Sequence, residues 1–198
     1  MNDPQCSAKT KVMRKSILSI LTAMLLPSCG GVSSSGPVGN EPLKLANDQW
    51  EGHWTMHSPG FNPEPEHLRF EILDSEKGTA RLHYTNKDTQ KPDHHDLVLR
   101  TGSKGVYGSS LLFNNDSDKK THLWLLLHVY KQGYVVAFLP KKTAFEELVK
   151  QKRISGEIVP NRPELKDLTD TDYNLLAAED SGNLYWWMHP IYFIKDKK

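Results

Sequence analysis

Nine histidines are the densest supply of chemistry-bearing side chains in this 198-residue sequence, and their spacing decides whether they can gather on a metal. His53 and His57 are an even number of residues apart, as are His122 and His128, so on strands each pair shares a face. His94, His95 and Asp96 form a local cluster. A zinc site needs three or four converging ligands. Each pair instead falls opposite its apolar neighbours, Trp50, Trp54 and Met56 around the first, which predicts exposure to solvent. His122 and His128 are also too far apart along a strand to share an ion. Asn114-Asn115-Asp116-Ser117-Asp118 lacks the later glycine and bidentate glutamate of a calcium loop and reads as a polar hairpin tip. Ser109 and Ser110 follow Gly108 but have no Gly-x-Ser-x-Gly elbow around them, and no Gly-rich loop ends in Lys-Ser or Lys-Thr. The expectation is a protein that is not an enzyme, with no catalytic residue, no metal and no cofactor.

Aromatic residues are the remaining concentration: Trp50, Trp54, Trp124, Tyr130, Tyr134, Phe138, Tyr185, Trp186, Trp187, Tyr192 and Phe193. Most are expected in a core or in strand pairing. A subset is expected to line a cavity, where aromatic walls and a few polar groups hold an apolar ligand. Trp54, Phe138 and Trp186 are the candidate ligand-binding residues.

The elements that position them follow from a period of two beyond Leu43. Leu68, Phe70 and Ile72 alternate with His67, Arg69 and Glu71; Ala80, Leu82 and Tyr84 alternate with Arg81 and His83, giving a hairpin across Asp74 to Gly78. Further strands are predicted over Trp50–Met56, Asp96–Thr101, Val106–Phe113, Thr121–Tyr130, Gly133–Leu139, Ile154–Val159 and Leu184–Ile194. Thr121–Tyr130 is apolar on both faces, so either Trp124 or Leu125 points inward. After Pro140, Thr143 and Glu146 have capping-box spacing, and Phe145, Leu148 and Val149 share one face of a helix that is expected to cover one end of the domain. A second helix is predicted over Asp172 to Ala178. Eight or nine short antiparallel strands with helices late in the chain predict a mainly β fold, a closed or nearly closed meander barrel, since closure removes exposed edges. A β-sandwich is the alternative.

Gly52 and Trp54, in Trp50-Glu51-Gly52-His53-Trp54, resemble the Gly-x-Trp opening of lipocalins, which implies a lipocalin-like barrel over residues 43–198. Thr171-Asp172-Tyr173 is a triplet also found in lipocalins, but it follows the main helix where that family places it earlier, and is read as coincidence.

The amino terminus carries an address. Met13, Arg14 and Lys15 precede an uncharged apolar run from Ser16 to Leu26, too short for a permanent span, which needs about 20 residues. The run ends in Leu26-Pro27-Ser28-Cys29, which resembles the lipobox of bacterial lipoproteins, with Pro27 in a place usually held by Ala, Ser or Thr. The resemblance implies a signal peptide over 1–28, removal of that segment, and acyl chains on Cys29. Gly30, rather than Asp, after the cysteine implies by analogy the outer membrane, facing the periplasm. Met13 already opens a complete signal, so residues 1–12 read as an extension produced by a misassigned start. Gly30 to Pro42 is Gly-, Ser- and Pro-rich; with Cys29 it is expected to form a flexible tether, holding the domain on the order of 20 Å from the lipid.

Without the first 28 residues the chain has 21 basic and 23 acidic side chains and no basic patch, so nucleic acid is not an expected partner. Cys6 and Cys29 both lie upstream of the strands, leaving no internal disulfide. Two functions remain: a membrane-anchored envelope lipoprotein binding a small apolar ligand in its barrel, or an accessory lipoprotein with a filled core acting through contacts with an envelope protein. A hollow and a filled barrel show the same alternation.

Overall fold

The computed structural model describes residues 31–86, 89–102, 106–112, 121–130, 133–160, 162–176 and 182–197. The signal segment, Cys29, Gly30 and the Asn114–Asp118 run lie outside them.

Eight antiparallel strands form the barrel: β3 (Gly52–Ser58), β4 (Asn62–Asp74), β5 (Thr79–Thr85), β6 (Pro92–Thr101), β7 (Val106–Leu112), β8 (Thr121–Tyr130), β9 (Tyr134–Phe138) and β12 (Ile191–Lys195). Each pairs with the next, and β12 closes the ring by pairing with β3, Phe193 opposite Met56. The protein is therefore mainly β, a closed meander barrel of lipocalin-like architecture. Between β9 and β12 the chain inserts α2 (Lys142–Lys150), the hairpin β10 (Gly156–Val159) and β11 (Arg162–Leu165), and α3 (Asp170–Leu176). Two short strands precede the barrel, β1 (Ser33–Ser34) and β2 (Glu41–Pro42), followed by α1 (Asn47–Trp50).

Alternation sorts the strand residues onto two cores. Trp54, Met56, Leu68, Phe70, Ala80, Tyr84, Leu99, Leu127, Val135, Ala137 and Ile191 pack inside the barrel. The intervening Tyr107, Trp124, Leu126, Val136 and Phe138 face outward, where Val32, Val38, Phe145, Leu148, Leu165, Tyr173 and Tyr185 cover them. On β8 Leu125 thus joins the inner set, and Trp124 becomes the centre of the outer one. Its ring meets Phe145 at 5.5 Å, Tyr107 at 6.0 Å and Tyr185 at 6.2 Å, all edge-on, the arrangement that ring quadrupoles favour. β8 is apolar on both faces because both are buried.

One end of the barrel is closed by α1. Trp50 enters the interior against Phe70 at 5.4 Å, and Trp54 Nε1 donates to the Trp50 carbonyl at 2.8 Å. Gly52 turns the chain from α1 into β3 with φ +128°, a conformation open to glycine and strained for other residues.

Several expectations are corrected. Trp50 belongs to a helix rather than to the first strand, and the strand predicted from Leu184 is ordered as a strand only from Ile191. The helix after Pro140 has Lys141 at its N-cap and no side-chain cap, so Thr143 and Glu146 form no capping box. That motif occurs at α3. Asp172 Oδ2 accepts from the Thr169 amide at 2.8 Å and from its hydroxyl at 2.7 Å, while the Asp172 amide donates to Thr169 Oγ1 at 3.4 Å. Helix α2 covers the barrel's outer wall through Phe145, not an end.

Nor is the segment from Gly31 to Pro42 a free tether. β1 pairs antiparallel with β8 and parallel with β11, and Val32, Ser33, Ser34 and Val38 are buried. β2 pairs with β6, and the Arg100 guanidinium donates to the Gly39 and Asn40 carbonyls at 2.8 and 2.6 Å. Two valines and backbone pairing offset the ordering entropy that composition alone leaves unmet.

Candidate functional site

The candidate site is the barrel interior. A cavity of about 130 Å³ runs from Trp50, Trp54 and Phe70 at the closed end to Tyr84, His95 and Leu123. Its wall is otherwise aliphatic or aromatic, including Leu82, Leu97, Leu125 and Phe193. These four point inward yet are only half-buried, because the space before them is unfilled. Trp54 is therefore placed where the sequence put it.

Phe138 and Trp186 are not. Phe138 alternates out of the barrel with Val136 and packs on Trp187 at 4.4 Å, since β9 turns Val135 and Ala137 inward. Trp186 lies outside the barrel in the loop before β12, 46% exposed, with the Lys141 ammonium 5.6 Å from its ring centre. The three candidates do not share a site.

Two polar residues replace them. His95 stands on β6 in the inward register with Leu97 and Leu99, and Tyr84 is the last inward residue of β5. Tyr84 Oη and His95 Nε2 are 3.0 Å apart, with the rings stacked at 5.1 Å. Burial pushes the Tyr84 hydroxyl up to about 12, with the Asp93 carboxylate adding to the shift. Burial lowers His95, against the opposing pull of Asp93, and keeps it neutral at pH 7. The arrangement that satisfies all three groups has His95 Nε2–H donating to the hydroxyl and the hydroxyl donating to Asp93. The signal for His95 was available: in His94-His95-Asp96-Leu97, the even spacing from Leu97 and Leu99 turns His95 inward.

The other histidines divide by face. His53 lies outward and exposed, and His57, in the same register, is half-buried. His83 meets Glu71 at 2.6 Å on the outside, holding that carboxyl below its ordinary range. His122 and His128 are covered rather than exposed as expected, because the outer layer lies over β8; His128 packs on Phe138 and Trp187 and is lowered by that burial. Among the described residues no three His, Cys, Asp or Glu side chains converge as metal ligands. No helix of the described residues is long and apolar enough to cross a membrane.

No protein-family model, curated protein or solved structure matches the chain.

Proposed function

We propose that the protein is a membrane-anchored envelope lipoprotein, acylated on Cys29, whose barrel holds a small apolar ligand. The observation that carries the reading is the apolar cavity itself, walled by inward side chains that keep accessible surface. At about 130 Å³ it is close to the ~150 Å³ that admits benzene and below the ~300 Å³ at which drug-sized sites begin. The fitting ligand is a single ring, a short branched alkyl group or one end of a longer chain. Tyr84 and His95, bonded to each other, add ring surface at one end and leave the lining almost wholly apolar. The sequence Leu26-Pro27-Ser28-Cys29 after an apolar run supports the anchor, and Gly30 supports the outer membrane.

The second reading, an accessory lipoprotein that acts on an envelope protein, draws on the small volume. Native mass spectrometry of the chain purified from its own envelope separates the two. A copurifying small molecule supports the binding role, and an empty barrel that also shows no thermal shift with benzene or short alkanes overturns it. Labelling with a palmitate analogue tests the anchor: the wild type takes up label, and Cys29→Ser does not.

A further inference from the structure

The loop that leads into β12 carries the most exposed large apolar side chain of the described residues, Met188, together with an exposed tryptophan, Trp186. Met188 is 89% exposed and Trp186 46%. They sit at the end of the barrel opposite α1, where the β3–β4 turn also projects. His189 bridges the two segments, 6.1 Å from Phe61 and 6.1 Å from Trp186, ring centre to ring centre. Lys141, over Trp186, supplies a cation beside this apolar rim.

The amino-terminal segment meets the barrel at the same place. One edge of β8 is shared: Ser33 and Ser34 take Leu123 and His122, and β9 takes over where Phe138 faces Leu126. Gly31, beside Leu123, therefore lies at the seam between β1 and the last residues of β9. There the Leu139 carbonyl accepts from the Trp186 amide at 2.9 Å. Cys29 is two residues before Gly31 and so within about 7 Å of it. Because Val32, Ser33 and Ser34 are fixed in the sheet, an acyl chain carried on Cys29, as proposed above, would be held on a leash that starts at this rim.

We propose that Trp186 and Met188, with Lys141, form a lipid-facing surface that seats the end of the barrel opposite α1 on the bilayer holding the anchor. An exposed tryptophan and a methionine gain most at the headgroup boundary, where an indole is half-solvated, and a lysine beside them is drawn to anionic lipid. The proposal rests on the anchored reading above.

The test uses the mature chain from Cys29, whose single thiol is coupled to a maleimide lipid in vesicles of phosphatidylglycerol and phosphatidylcholine, with and without brominated acyl chains. Fluorescence of the wild type should be quenched by the brominated lipid, and Trp186→Phe should lose most of that quenching with unchanged circular dichroism. Met188→Asp should weaken it, and Lys141→Glu should weaken it more as the phosphatidylglycerol fraction rises. Equal quenching in wild type and Trp186→Phe, or none in either, overturns the proposal. Since the coupling is chemical, this outcome is independent of whether cells acylate Cys29, which the palmitate label reports separately.

Discussion

Tyr84 and His95 join by a 3.0 Å hydrogen bond on the inner wall of the barrel, on neighbouring strands that present otherwise apolar side chains to the cavity. The pair ties the cavity to proton chemistry in one direction. His95 is held neutral by burial, and so is His128 in the outer layer.

Stability should therefore fall as the pH drops below about 6.5, the ordinary histidine value. The folded pKa is depressed, so between it and 6.5 the unfolded chain binds protons that the folded one refuses, and the unfolded state gains. Above 6.5 both forms are neutral and the effect vanishes. Urea denaturation from pH 7.5 to pH 5 should show this slope, and His95→Gln with His128→Gln should flatten it. The carboxylates lowered by their partners, such as Asp93 and Asp96, act in a separate window below about 4.

Filling the cavity should remove binding without unfolding the barrel. Leu125→Phe adds volume where space exists, so its melting temperature should match or exceed the wild type, whereas added volume in a close-packed core costs about 1–3 kcal/mol. The thermal shift induced by benzene should disappear. A loss of several degrees in Leu125→Phe would show that the space is not available.

Trp124→Ala should be among the most costly truncations in the chain, about 3–5 kcal/mol, because the ring is 2% exposed and central to the outer layer. Leu82→Ala should cost less than that, since Leu82 is already half-buried beside unfilled space. Equilibrium denaturation of the two variants checks the order.

Removing residues 31–42 should destabilise the domain by about 2 kcal/mol or more, from the lost burial of Val32 and Val38 and the backbone pairing of β1 and β2. A free tether, as composition suggests, predicts coincident melting curves for chains starting at Gly31 and at Leu43.

Most of the barrel was legible in the sequence because a strand with one wet face writes its register as alternation: Phe70 and Leu82 inward, Arg69 and His83 outward. Trp54 was legible for the same reason, whereas Gly52 stood out only through the Gly-x-Trp resemblance, and the helix α1 that makes it a turn was not foreseen. What tertiary structure alone decided was the second layer. Once α2, β11 and α3 cover β8 and β9 from outside, both faces of those strands are buried and alternation no longer names an inside. Phe138 then reads as an interior residue in sequence, and Trp124 stays undecided against Leu125, while both face the outer layer in space. Composition failed likewise at Val32 and Val38: two valines among glycine and serine carry too little apolar area to fold by themselves, and they are ordered by a groove that other segments, far away in sequence, provide. The cavity belongs to this class too, for its volume depends on how closed rings of side chains meet across the barrel axis, a distance no single strand encodes.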